Sequence, residues 1–240
     1  MRFFRGLFAI AVAGLLASCQ DVNPQVQKWG SRMPQSLPQV TPAQLYQEVN
    51  VKVVMIPKGK VGRKYYRPMT PKYITIHNTE NTSEGADAMR HALALRNGAL
   101  RSGMRPGGNR IGFLTWHFTV DQGLAAQHLP TREQGEHADY DGPGNNYSIG
   151  IEMCENRGND PAWTIDRTAR LAAYLMYVYH IQVDDVVPHY HWARLGAHPP
   201  HKPCPHWLLD QGKPGATWRW FQSRVQMHYN RIVPGPVVGI

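Results

Sequence analysis

The stretch Ser148-Ile149-Gly150-Ile151-Glu152-Met153-Cys154 is apolar at nearly every position, as expected of a strand in the middle of a sheet. Glu152 is the exception. A carboxylate inside such a run is costly unless it is paired or bound to something. Glu152 is therefore a candidate functional residue, with a satisfied core ion pair as the plainer alternative.

Working outward, Tyr73 to His77 alternates with β-branched residues and reads as a strand, with Tyr73, Thr75 and His77 on one face and Ile74 and Ile76 on the other. His77 is then a polar group at a strand end, followed by the loop residues Asn78, Thr79, Asn81 and Thr82. From Gly85 the spacing of Met89, Ala92, Leu93 and Leu95 predicts a helix that stops at Asn97-Gly98. Trp116–Val120 and Leu124–Leu129 form a hairpin through Asp121-Gln122-Gly123, and Val51–Ile56 is a short edge strand. Lys58–Arg67 and Arg101–Arg110 are basic loops. Downstream, Thr164 is positioned to cap a helix carrying Leu171, Tyr174, Leu175 and Val178, and Trp218, Phe221, Val225, Tyr229 and Ile232 repeat at helical spacing up to Pro234. Strands mixed with helices, without repeats or a second domain, give an α/β (α+β) class: one domain with a central mixed β-sheet flanked by helices.

The segment from Val186 to Leu208 holds His189, His191, His198, His201, His206 and Cys204, and prolines at 188, 199, 200, 203 and 205 forbid a continuous helix. Imidazole and thiolate together are the ligand set zinc prefers, and three protein ligands with an open position make a catalytic site. A bridge from Cys154 to Cys204 would remove the best thiolate, so none is expected.

At 240 residues and 42% hydrophobic content the chain can bury a real core. Its formal net charge of +9, with Arg2 and Arg5 at the extreme N-terminus, suits an anionic partner such as cell-wall polymer, anionic lipid or nucleic acid. The basic Met1–Arg5 and the apolar Gly6–Ala17, too short to span a bilayer, read as an export signal. It ends in Leu16-Ala17-Ser18-Cys19, which resembles the bacterial lipobox, so residues 1–18 are expected to be removed and Cys19 acylated. Residues 19–50, rich in Gln and Pro, then read as a flexible tether, 51–233 as the folded domain and 234–240 as a tail. Export also argues against a nucleic-acid partner, and no nucleic-acid motif is present.

The motifs ITIHNT, WHFTVD, SIGIEMCEN, VVPHYHW and KPCPH occur in the order seen in zinc-dependent N-acetylmuramoyl-L-alanine amidases of the amidase-2 group, whose fold is shared with peptidoglycan recognition proteins and T7-lysozyme-like amidases. The resemblance runs from about Val51 to Ile232. It implies that His77, His189 and Cys204 are zinc ligands, that Glu152 is the acidic catalytic residue and that Lys202 is the lysine of the site. Trp116 stands where recognition proteins and T7-type enzymes carry a tyrosine; if that role is needed, Glu152 must supply it.

The implied reaction is hydrolysis of the amide between N-acetylmuramic acid and L-alanine, with peptidoglycan or muropeptides as substrate, Zn2+ as cofactor, Glu152 as general base and acid, and Lys202 stabilising the oxyanion. A non-catalytic peptidoglycan-binding module is the alternative. Asn78, Trp116, His117 and His137 are candidates for contacting substrate, although structural roles suit His117 and His137 equally. His191 and His201 are expected to support ligands or be solvated, and His206 to help hold the loop. His91, His128, His180 and His228 are expected at the surface or partly buried. The expected protein is a monomer in the cell envelope, anchored through Cys19 in the outer membrane and facing the periplasm.

Overall fold

A computed structural model describes residues 22–103 and 110–238. Among these, the helices are α1 (Pro24–Gly30), α2 (Pro42–Val49), α3 (Ala88–Arg96), α4 (Pro143–Tyr147), α5 (Pro161–Tyr179) and α6 (Ala216–Asn230). The strands are β1 (Val51–Val53), β2 (Tyr73–Asn78), β3 (Phe118–Val120), β4 (Ala125–Gln127), β5 (Ser148–Met153) and β6 (Val186–Pro188). They form one mixed sheet in the order β1-β4-β3-β5-β2-β6, in which only β3 and β4 pair antiparallel. The expected signal peptide and Cys19 lie outside the described residues, as do residues 104–109 of the second basic loop. Among the described residues no helix is long and apolar enough to cross a membrane.

Strand alternation divides the sheet into two unlike faces. Ile74 and Ile76 of β2, Ile149, Ile151 and Met153 of β5, and Phe118 and Val120 of β3 pack with Leu45 and Val49 of α2, Leu171, Tyr174 and Leu175 of α5, and Phe221 and Val225 of α6. The opposite face carries Thr75 and His77 from β2 and Ser148, Gly150 and Glu152 from β5. It is covered partly by α3, whose Ala88 and Ala92 meet Ala126 and Cys154, and otherwise by the loops of the site.

The tether expected over residues 19–50 is folded from Pro24 onward. Two of its prolines, Pro24 and Pro42, stand at helix starts: Asn23 Oδ1 accepts from the Gln25 backbone N–H ahead of α1, and Thr41 forms a capping box with Gln44 ahead of α2. Proline at the first helical position sacrifices only a donor that has no intrahelical partner. Val26, Leu45 and Val49 are fully buried, so α1 and α2 are packed into the fold and are not a free tether. The expected tail also packs back, since Tyr174 Oη donates to the Val238 carbonyl at 2.6 Å.

α5 starts before the expected Thr164, because Asp160 accepts from the Ala162 N–H and Pro161 follows it; the Thr164 hydroxyl donates to the Asp160 carbonyl instead. The expected edge strand is β1, shortened to Val51–Val53. Cys154 and Cys204 are both free and buried. His128 and His228 are fully buried, unlike the surface or partial burial expected of them.

Candidate metal centre and active site

Strand register builds the site. β2 and β5 run parallel with His77 opposite Glu152, and β6 runs parallel to β2 with Pro188 opposite Ile76. The chain therefore leaves β6 with His189 beside His77. Open α/β sheets bind ligands at the carboxyl ends of their parallel strands, and these three side chains gather at that end.

Cys204 arrives from the proline-broken loop, which folds back so that the Tyr190 N–H donates to the Cys204 carbonyl at 2.9 Å. Asn78 completes the closure: its backbone N–H reaches Cys204 Sγ at 3.4 Å and its Oδ1 accepts from the Trp207 N–H at 3.3 Å. One ligand atom each from His77, His189 and Cys204 then lie within 4.8 Å of one another, all from buried residues. The two imidazole Nδ1 atoms are 2.9 Å apart.

Burial, reinforced by the positive influence of His189, His137 and Lys202, holds His77 well below the usual imidazole range. His189 is lowered to about 3, again mainly by burial. Burial pushes the Cys204 thiol up. Two neutral imidazoles and a buried thiol, whose ionised form the Asn78 N–H and Lys202 compensate only in part, are the donor set of a zinc site, so the residues present fit that ion.

Glu152 stands next to this group, with Oε1 3.9 Å from His77 Nδ1 and a buried Oε2 that has no hydrogen-bond partner among the described residues. Burial raises its carboxyl well above the usual range, opposed by Lys202 and assisted by Glu80 and Glu155. Lys202 Nζ donates to Glu80 Oε2 at 2.9 Å. Both basic and acidic groups thus converge on a cavity of about 200 Å³, lined by His77, Glu152, His189 and Lys202 together with Trp116, Tyr140 and Arg194.

The remaining candidates separate. Trp116 lines the cavity, but its indole N–H is used on Thr119 Oγ1 at 2.7 Å, so it offers a ring and no proton. His137 also lines the cavity. His117 does not: it is fully buried, Nδ1 accepts from the Gly150 N–H at 2.9 Å, and Nε2 donates to the Glu133 carbonyl at 2.8 Å. One nitrogen ties it to β5 and the other to the loop at Glu133, which is the structural one of the two roles expected of it. Asn78 likewise binds the Cys204 loop. His201 stacks on Tyr190 and bonds its carbonyl, and His206 pairs with Glu155 at 2.9 Å, which raises its pKa.

Sequence reasoning missed Glu80, the partner of Lys202, and Asn145, which lines the cavity and whose Oδ1 accepts from the backbone N–H groups of His137 and Ala138 at 2.8 Å each. The only local signal for Asn145 was its place in a glycine-rich loop, which does not distinguish it from Asn146.

A family model described as N-acetylmuramoyl-L-alanine amidase matches residues 67–207, a span that includes all five residues His77, Glu152, His189, Lys202 and Cys204. The chain belongs to that family. This amidase-family chain is 40% identical over 178 residues to N-acetylmuramoyl-L-alanine amidase XlyA of Bacillus subtilis (strain 168), covering 74% of this chain and 51% of XlyA. It is 40% identical over 164 residues to CwlH of the same strain, covering 68% of this chain and 58% of CwlH. It therefore spans about half the length of the curated relatives it matches. The solved catalytic domain of XlyA superposes with a TM-score of 0.60 at 40% identity, covering 74% of this chain and 99% of that one.

Proposed function

We propose that this amidase-family protein hydrolyses the amide between the lactyl group of N-acetylmuramic acid and L-alanine in peptidoglycan, using zinc held by His77, His189 and Cys204. The observation that carries the reading is the juxtaposition of three clustered ligand atoms with a carboxylate whose buried oxygen has no partner among the described residues. Its relatives XlyA and CwlH are named for that amidase activity. A zinc ion at these ligands supplies Lewis acidity toward the amide carbonyl and lowers the pKa of water. Glu152 takes the proton of the attacking water and delivers it to the leaving amine nitrogen. Lys202, which lines the cavity, balances the charge developing on the carbonyl oxygen, a contribution of about 3 kcal/mol by comparison with other oxyanion donors. Cys19, as the acylated N-terminal residue, would hold the domain at the outer membrane within reach of the wall.

Mass spectrometry of digested peptidoglycan tests the reaction, because it names the bond. Stem peptides with a free L-alanine amino group are the expected product. Intact muropeptides after long incubation with zinc-loaded protein would leave only the reading of a binding module.

A further inference from the structure

Consecutive residues of one loop hold the remote nitrogens of both imidazole ligands. His189 Nε2 lies 3.1 Å from the Ala138 carbonyl. A carbonyl only accepts, so Nε2 carries the proton and Nδ1 presents a lone pair. One residue earlier the same result is reached through a relay. His137 Nε2 lies 3.3 Å from the Ser148 carbonyl and must donate, which leaves His137 Nδ1 as an acceptor. His77 Nε2, 3.1 Å from that acceptor, supplies the proton, and His77 Nδ1 becomes a second lone pair. Histidine ligands bind a metal as neutral rings, and a neutral imidazole has one donor and one acceptor nitrogen. Both ligands therefore turn bare Nδ1 atoms toward each other at 2.9 Å, an arrangement that repels unless a cation lies between them.

The loop is seated for this task. The His137 ring lies on the backbone of β5 where Gly150 has no side chain: a Cβ there would come within 2.8 Å of the ring's Cγ. A Cβ at Gly135 would come within 2.5 Å of the ring from the loop's own chain. Asn145 pins the backbone of both holding residues with one amide oxygen, and its Nδ2 is fastened to the Tyr140 carbonyl at 2.6 Å. Gly150 thus has a reason to interrupt the apolar run of the central strand.

We propose that His137 is a positioning residue that sets the tautomer of His77 for metal binding, seated on Gly150 and held in line with the Ala138 carbonyl by Asn145. This rests on the zinc reading above. The partners that orient a histidine ligand typically change metal affinity about 10–100-fold when removed.

Zinc affinity of the purified chain, measured by competition with a chromogenic chelator, tests the relay. His137→Leu and Gly150→Ala are each expected to weaken zinc binding about 10–100-fold. The double variant should be no weaker than His137→Leu alone, since both changes remove the same contact. His137→Asn, whose amide oxygen replaces the accepting Nδ1, should bind nearly as tightly as the unaltered chain. In nitrogen-15 spectra of the zinc-loaded chain, the His77 Nε2 proton should be protected from exchange, and that protection should vanish in His137→Leu. Unaltered zinc affinity in His137→Leu, or a loss in His137→Asn as large as in His137→Leu, would overturn the relay while zinc binding by the unaltered chain still supported the ligand set. No zinc binding by the unaltered chain would overturn the ligand set and the relay together.

Discussion

The two faces of the central sheet are made from alternate residues of the same strands, yet they obey different rules. On the helix side, Ile74, Ile76, Ile149 and Ile151 are fully buried against apolar partners, and their contribution is area removed from water and close packing. On the other side, Thr75 bonds Ser148 at 2.5 Å and accepts from Trp192 Nε1 at 2.9 Å, His77 and Glu152 face a cavity, and Gly150 leaves room for a ring. One face maximises contact. The other keeps clustered ligand atoms and a carboxylate oxygen with no partner among the described residues, which a fold selected only for stability would avoid. The rigid face is what allows the second to hold such groups in place.

The largest expected effect separates chemistry from stability. Glu152→Gln should retain zinc and lower turnover about 10²–10⁴-fold, while leaving thermal stability unchanged or slightly improved. Turnover that survives intact would remove Glu152 as the proton carrier. Phe221→Ala, on the helix face and fully buried, should cost about 3–5 kcal/mol in denaturant unfolding without altering zinc affinity of the folded protein. Loss of zinc affinity alongside stability would mean that the faces are coupled more tightly than their separate packing implies.

A smaller effect comes from charge within the helix layer. Asp166 of α5 is buried against Arg170, Arg224 and His228, with contacts of 2.7, 2.6 and 2.9 Å. Burial alone would raise its carboxyl, but the hydrogen bond and charge of His228 and the charges of Arg170 and Arg224 outweigh it and hold it below its ordinary 3.8. Its stabilisation is therefore present above that value and lost as pH falls through the acid range below it. His228, lowered from 6.5 chiefly by burial, is favoured neutral and contributes a loss of the same sign as pH falls below 6.5. Equilibrium unfolding across that range should show declining stability toward acid. Asp166→Asn should flatten the lower limb even though it destabilises the protein at neutral pH, and an unchanged acid limb would remove Asp166 as its source.

Much of this was legible along the chain. Alternation over Tyr73–His77 placed the isoleucines and His77 on opposite faces, and Glu152 stood out because a charge interrupts an apolar run. The long helix α5, though not its start, and the closing helix follow from apolar spacing. The tether reading of residues 19–50 rests on composition, whereas Asn23-Pro24 and Thr41-Pro42 are helix starts whose few apolar followers, Val26, Leu45 and Val49, are buried. For His117 the sequence leaves both roles open. A histidine in a strand can serve a cavity or its neighbours' backbone, and only the positions of Gly150 and Glu133 decide which.

The sequence by itself determined the secondary structure of the strands that carry His77 and Glu152, the irregular loop that carries His189 and Cys204, and the donor chemistry suited to zinc. Those are local properties of periodicity, proline and side-chain type. Only the tertiary structure decided that β2, β5 and β6 lie side by side in parallel register, that His137 sits on Gly150, and that residues 137 and 138 hold both imidazoles from behind. Hydrogen-bond direction depends on which groups meet, and the relay from Ser148 through His137 to His77 joins residues far apart in the chain. Its polarity therefore exists only after the sheet and its covering loop have packed.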